Sequence, residues 1–295
     1  MSILNRPTDG FPPVLVALWR TLRAQGNDGQ MAKEELLARC TPPDERKGKS
    51  IDTPHKRGQD TLATWTKLGV FTEDNTGLLG LTDPFREIPF REPGLFEFRQ
   101  AILNKTLENK GVTATDFINS AASLFSLDIV DSPRSTWELV EDLFTDQFRG
   151  QDKLIQNDIR WGGFRDWALF LGIAWGTPRD RIQLDPTEAI SGKLDKIWGR
   201  GEEVTATQFR KKAGAEFPFL DGGTAQKRIL ENAVAGKIQH ISESEFSPAI
   251  SLAILRLAEN KKITIESRSD ADQIKLLGPG FQEKEEISHL VRSDR

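Results

Sequence analysis

Basic side chains concentrate between positions 46 and 57 of this 295-residue chain, where only Asp52 opposes them. Lysine and arginine neutralise DNA phosphates, whereas histidine and glutamine can reach the hydrogen-bonding groups of base edges. The same run is also typical of a solvated loop beside a solvated helix end. On the nucleic-acid interpretation, the candidate DNA-binding residues are Arg46, Lys47, Lys49, His55, Lys56, Arg57 and Gln59.

Catalytic chemistry has little support in the residue patterns. The chain contains no G-x-S-x-G, no H-E-x-x-H and no kinase motif, so we expect no enzyme and no catalytic residues. Its single cysteine and three distant histidines predict no metal site, and we expect no cofactor. The segment from Phe217 to Gly223 ends in Asp-Gly-Gly without a P-loop sequence, which predicts a tight turn capped by Asp221.

Composition limits the possible partners and location. The net charge is −4 and the pI is about 5.6, so any DNA contact must come from a local patch. No apolar run is long enough for a transmembrane helix, and the first residues do not resemble a signal peptide. One cysteine is compatible with a reducing compartment. We therefore expect a soluble cytoplasmic protein that does not contact membranes.

The elements that would position the basic cluster follow from hydrophobic spacing. Phe11 to Ala24 has apolar residues at helical intervals, and a short helix follows Met31. A third helix is predicted to begin at Thr53-Pro54. Two apolar runs around an Asp-Asn-Thr-Gly turn then predict a β-hairpin between residues 70 and 81. This order is that of a winged helix, a form of helix-turn-helix.

An internal repeat extends this organisation along the chain. The hexapeptide from Val112 to Phe117 matches that from Val204 to Phe209 at all but one position, and each contains a candidate capping box. Each valine is predicted to form the short strand before the second helix, as Met31 does in the first repeat. The fold class predicted is mainly α with small β-hairpins, in three tandem winged-helix repeats. Their bounds are residues 1–90, 91–186 with an inserted helix, 187–278 with an insertion, and a charged tail at 279–295.

The later repeats add further candidates. Arg165 and Arg181 fall on the third helix and hairpin of the second repeat, and we include both among the DNA-binding residues. The aromatic residues of that third helix do not fit one stripe, which predicts that some of them contact a neighbouring repeat. Residues 210–212 and 227–228 form basic clusters outside any wing. Residues 263–265 and 274–277 are predicted to form a hairpin, and the tail to be a frayed helix or disordered.

The sequence resembles the DpdG-like component of the Dpd system. The resemblance rests on Ser2-Ile3-Leu4-Asn5, on the tryptophan-rich helix ending at Leu171-Gly172, and on Phe219-Leu220-Asp221-Gly222-Gly223. It implies a bacterial accessory protein of a gene cluster that inserts 7-deazaguanine derivatives into DNA and restricts unmodified DNA. It supplies no catalytic residues, and it implies other protein subunits as partners.

Three functions remain open on these observations. The first is a non-enzymatic DNA-binding accessory protein of a DNA-modification and phage-defence system, with double-stranded DNA as its partner. The second is a protein–protein adaptor whose winged helices pack on partner subunits without touching DNA. The third is a transcription regulator, which would require a symmetric dimer. Fold alone does not choose among them.

Overall fold

The chain forms mainly α-helices with small, largely antiparallel β-sheets. A computed structural model describes residues 2–4, 11–26, 28–41, 55–108, 112–128, 136–148, 154–176 and 182–293. The helices are α1 (Pro12–Arg23), α2 (Lys33–Cys40), α3 (Lys56–Lys67), α4 (Gly94–Glu108), α5 (Val112–Phe125), α6 (Trp137–Gln147), α7 (Asp158–Phe170), α8 (Thr187–Ser191), α9 (Leu194–Trp198), α10 (Ala206–Glu216), α11 (Thr224–Glu231) and α12 (Pro248–Glu259). The strands are β1 (Met31–Ala32), β2 (Phe71–Glu73), β3 (Leu78–Leu81), β4 (Ala174–Gly176), β5 (Ile182–Leu184), β6 (Glu203–Thr205), β7 (Glu245–Phe246), β8 (Ile263–Glu266), β9 (Ile274–Leu277), β10 (Glu283–Ile287) and β11 (His289–Arg292).

Two compact units divide these elements. Unit 1 comprises Met1–Thr115 and Ile159–Leu171, and unit 2 comprises Asp116–Asp158 and Gly172–Arg295. Within the described residues, no helix has both the length and the apolar character needed to cross a lipid bilayer.

The first part of unit 1 has the element order predicted from its spacing. Helix α1 buries its apolar positions, and Pro12 occupies its first turn, where a missing N–H costs nothing. Strand β1 pairs with β3, and β3 pairs with β2, so the sheet order is β1-β3-β2. The predicted hairpin is confirmed, with Phe71 opposite Leu81. The buried side chains of α1 are Leu15, Leu18, Trp19 and Leu22.

Helix α3 begins later than its Thr53-Pro54 start predicts. Its N-cap is His55, which adopts a left-handed conformation with φ of 61°. The first helical residue is therefore Lys56, and Thr53 and Pro54 lie outside the described residues. The helical backbone therefore begins after His55.

The tryptophan-rich helix α7 packs against α3 within unit 1. The rings of Trp65 and Trp167 lie 5.0 Å apart, and both side chains are buried. Arg99 donates hydrogen bonds to the carbonyls of Leu169 and Phe170, where cations stabilise the end of a helix. The prediction that these aromatic residues contact another segment is thereby confirmed.

A glycine in α7 has no packing partner to explain it. A Cβ added at Gly162 would meet no atom within 4 Å, and the residue has helical backbone angles. Gly162→Ala is expected to raise the free energy of unfolding by about 1 kcal/mol, since alanine loses less backbone entropy in a helix. Urea denaturation measures this change.

The matched comparison for Gly162 is Gly214→Ala, also in a helix. There the added Cβ would lie 2.5 Å from the carbonyl oxygen of Asp221, so this variant is expected to be destabilised. Equal destabilisation of both variants would contradict the assignment of open space beside Gly162.

The hexapeptide repeat gives different structures at its two copies. Thr205 and Gln208 form the predicted capping box at the start of α10, with Gln208 N 3.1 Å from Thr205 Oγ1. Val204 lies in β6, as predicted. Val112, however, is the first residue of α5 and not a strand residue. Similar local sequence therefore does not produce a strand unless a partner strand is available to pair with it.

The C-terminal tail corrects two predictions. Residues 283–292 form β10 and β11 and are neither a frayed helix nor disordered. Strands β8 and β9 do not form a hairpin sheet: β11 lies between β6 and β8, and β10 pairs with β9, which also pairs with β7. Ile287 and Leu290 are fully buried. These apolar residues beyond the charged run supply the hydrophobic free energy that holds the tail in the sheets.

Residues 187–198 of unit 2 form two short helices, α8 and α9, which are separated at Gly192-Lys193. The turn before α11 forms, but Asp221 does not cap it. Instead Gly222 N donates to Gln226 Oε1, and the Asp221 carboxylate accepts a hydrogen bond from Ser247 N at 2.7 Å.

Candidate nucleic-acid interface

Helix α3 presents a solvent-facing stripe on unit 1. Arg57, Ala63 and Lys67 are exposed, whereas Leu62 and Trp65 on the opposite side are buried. Close approach of α2 fixes this orientation, because a Cβ at Gly58 would lie 2.7 Å from Leu37 Cδ2. The stripe places two cations at opposite ends of the helix.

The first turn of α3 is partly neutralised by an acid. Lys56 Nζ lies 3.3 Å from Asp60 Oδ2 at an i, i+4 spacing, and Asp60 is the less exposed partner. An exposed pair of this kind contributes only a few tenths of a kcal/mol to stability. Its main effect is electrostatic, because Asp60 reduces the positive potential that Lys56 could offer to phosphate. Asp60 lies outside the basic run at positions 46–57, so the charge pattern of that run does not include it.

His55 is a link between two helices. Its Nδ1 lies 2.7 Å from the carbonyl oxygen of Thr41, the C-cap residue of α2. A carbonyl only accepts hydrogen bonds, so Nδ1 carries the proton and donates it. The nitrogen not engaged by Thr41 is Nε2, and the ring thus has a structural role whether or not it also contacts a ligand.

The remaining predicted residues are distributed between described and undescribed parts of the chain. Gln59 is half-buried on α3. Arg165 lies on α7 with its guanidinium 5.9 Å from the centroid of the Trp161 ring, a distance typical of a cation–π contact. The predicted residues that lie outside the described ranges are Arg46, Lys47, Lys49 and Arg181.

The hairpin next to α3 is acidic. Glu73 and Asn75 are exposed, and the Asp74 carboxylate accepts hydrogen bonds from Thr76 N, Thr76 Oγ1 and Leu78 N. The side-chain hydrogen bond from Thr76 is the main reason that the pKa of Asp74 lies below its ordinary value. Asp74 is therefore ionised at neutral pH. No lysine or arginine occurs from Thr72 to Gly77, so this hairpin repels phosphate.

Two features of this surface were missed at the sequence level. Lys67 is exposed at the last turn of α3, and its spacing from Lys56 along one helix face was the signal available. The acids of the hairpin tip were visible in the sequence as Glu73-Asp74 but were considered only as turn residues. Together they define a surface in which α3 is basic and the hairpin acidic.

Comparison with known proteins gives one family. No curated protein and no solved structure matches the chain. The model of the DpdG-like family matches residues 1–271, nearly the whole sequence and both compact units. The chain therefore belongs to the DpdG-like family.

Proposed function

We propose that this chain is a non-enzymatic, DNA-binding accessory subunit of a Dpd DNA-modification and phage-defence system. Its partners are double-stranded DNA and other protein subunits of that system, which carry out the chemistry. Membership of the DpdG-like family supports the assignment to the system. The observation that carries DNA binding is the exposed α3 stripe with Arg57 and Lys67.

The first part of unit 1 supports a winged-helix assignment. Its order is α1, β1, α2, α3, β2, β3, and the first strand pairs with the last one of the sheet. In such folds the third helix enters the major groove and the hairpin contacts backbone. Here the acidic hairpin disfavours its usual contact. We therefore assign the DNA contact to α3, and to the basic residues that precede it in sequence.

The later segments fit divergent copies of the same arrangement. The second has α4, α5 and α7 followed by the paired strands β4 and β5. The third has β6, α10 and α12 followed by β8 and β9. Strand β8 pairs with β11 of the tail, and β9 pairs with β10 of the tail and with β7. On this proposal α3 is the DNA-reading helix, because its stripe is the most exposed of the three third helices.

The first experiment measures duplex binding across a salt series. Changing Arg57 and Lys67 to alanine is expected to reduce the slope of log K against log salt by about 2, since each lost phosphate contact removes roughly 0.9. Fluorescence anisotropy with a labelled duplex gives both slopes.

A variant with Arg20 and Arg91 changed to alanine is the matched control. Both residues are exposed cations of unit 1 that lie outside α3, so the slope should stay at the wild-type value. If both double variants lower the slope equally, α3 is not the contact. If wild-type protein does not bind duplex DNA at low salt, DNA binding by the isolated chain is excluded.

The adaptor function is the second candidate, and an apolar surface of unit 1 favours it. Phe90 is 44% exposed and Phe96 is 38% exposed, on either side of the start of α4. Exposed aromatic residues of this size are enriched in protein interfaces. Copurification with other Dpd subunits that is lost on Phe90→Ser and Phe96→Ser, with no duplex binding at low salt, would support the adaptor.

A further inference from the structure

A second basic surface lies on unit 2, where the end of α9 meets α10. Lys212 Nζ is 3.4 Å from the carbonyl oxygen of Trp198, the last residue of α9. This contact brings α10 close to the exposed loop that contains Arg200. Lys211 is exposed on the same helix, and the Lys196 side chain on α9 is 56% exposed. We call Lys196, Arg200, Lys211 and Lys212 the α9–α10 surface.

Buried contacts hold this surface in place. Trp198 is 2% exposed and packs edge-on against Phe209 of α10, with ring centroids 5.6 Å apart. Below it, Lys193 Nζ lies 2.9 Å from Glu216 Oε2 and 4.8 Å from the Phe217 ring. Core residues thus hold α9 and α10 against each other.

Two of the nearby acids are matched by other cations. Glu216 pairs with the buried Lys193 and lies 4.0 Å from Lys196. Asp195 pairs with Arg292 of β11 at 2.6 Å. The exposed Glu202, two residues after Arg200, offsets one of the four cations, so the α9–α10 surface keeps a net positive charge although the whole chain is acidic. Positive potential of this kind fits a polyanion.

The third helix of this part of unit 2 cannot read bases. Within α12, whose residues are all described, Glu259 is exposed, Leu252 and Leu255 are half-buried, and Arg256 pairs with Asp185. The accessible face of this helix thus offers two leucines, an acid and a paired arginine, which do not suit the hydrogen-bonding groups of base edges. Contact with DNA in this part of the unit is therefore limited to the phosphate backbone.

We propose that the α9–α10 surface binds the DNA backbone as a second, sequence-independent contact. Lysine and arginine side chains without base contacts position a protein on a duplex and carry no sequence information. This contact is separate from α3, and it rests on the DNA-binding function proposed above. It would hold unit 2 on DNA of any sequence, while α3 supplies the contacts with base edges.

The test uses the full-length chain with Arg200 and Lys211 changed to alanine. The slope of log K against log salt on duplex DNA is expected to fall by about 2. Between 50 and 200 mM salt, the wild type should consequently lose roughly tenfold more affinity than the variant. The decrease should be the same on unrelated duplex sequences. Lys261→Ala with Lys284→Ala, two exposed lysines elsewhere in unit 2, is the matched control and should keep the slope.

The outcomes separate this proposal from the one for α3. An unchanged slope for the Arg200 and Lys211 variant overturns the α9–α10 contact, even if the Arg57 and Lys67 variant loses its slope. The reverse result supports the α9–α10 contact and overturns α3. Retention of the slope by Arg200→Lys with Lys211→Arg supports a role for charge, and its loss would overturn that role. No binding by the wild type at low salt overturns both contacts.

Discussion

Trp65→Ala is expected to lower the free energy of unfolding by about 3–5 kcal/mol, the usual cost of truncating a large buried aromatic residue. Trp65 is fully buried on α3, with its ring centroid 5.0 Å from that of Trp167 on α7. Truncation removes this contact and leaves a cavity between the two helices. Because α3 carries the candidate DNA-binding stripe, the variant should also lose duplex affinity as its fold weakens.

Two further variants separate packing from other effects of Trp65. Trp65→Phe retains most of the ring volume and removes a buried indole N–H that has no hydrogen-bond partner among the described residues. Its cost should therefore be below about 1.5 kcal/mol. Trp175→Ala, at a site that is 55% exposed, should leave denaturation nearly unchanged. A loss below about 1 kcal/mol for Trp65→Ala would contradict the α3–α7 core.

Asp221→Ala is expected to destabilise the protein by about 3 kcal/mol, because it leaves two buried donors without an acceptor. The Asp221 carboxylate accepts from Ser247 N at 2.7 Å and from Gln226 Nε2 at 3.3 Å, and the residue is 2% exposed. Ser247 is the N-cap of α12, so the variant also removes an acid from the positive end of that helix. Chemical denaturation measures the loss, and a near-neutral result would show that water replaces the carboxylate.

The stability contribution of Asp221 should depend on pH. Burial, which disfavours the charged form, raises the pKa of Asp221 above its ordinary value of 3.8. Because the pKa of Asp221 is higher in the folded than in the unfolded chain, its stabilisation of the fold is complete below the unfolded-state pKa. This stabilisation is lost as pH rises through the folded-state pKa. As pH rises above 3.8, the free energy of unfolding of the wild type should therefore fall relative to that of Asp221→Asn. A difference that does not change with pH would contradict the raised pKa.

Local patterns predicted the first part of unit 1 well. Apolar spacing identified α1, and the Asp-Asn-Thr-Gly turn identified the β2–β3 hairpin, because both elements depend on residues close in sequence. The predicted start of α3 was wrong by a few residues, because His55 is held by the carbonyl of Thr41, which is distant in sequence. Contacts that are distant in sequence leave no local pattern.

The tail was mispredicted for a related reason. Its Glu-Lys-Glu-Glu run suggests a solvated segment, and the apolar Ile287, Leu290 and Val291 that follow gain their partners only from β6, β8 and β9. Strand pairing over such distances depends on tertiary context more than on propensity. The capping box at Thr205 and Gln208, in contrast, is local and was predicted correctly.

Only part of the candidate site could be predicted from the sequence, and the reason is electrostatic. Counting charges along the chain found the cations before and within α3, but their potential depends on which acids share their surface. Asp60 reaches Lys56 because the helix brings i and i+4 together, and the acidic hairpin tip belongs to the same small fold. Charge in three dimensions therefore differs from charge along the sequence.

The position of β11 has a consequence for synthesis on the ribosome. Strands β6 and β8 are synthesised before β11, the strand that lies between them in the sheet. At a synthesis rate of about 5–20 residues per second, the edge of β6 stays unpaired for several seconds. Unit 2 is thus exposed to misassociation for longer than the first segment of unit 1, whose sheet is complete once Leu81 has emerged. We expect a chaperone to bind nascent chains whose synthesis is arrested before β11.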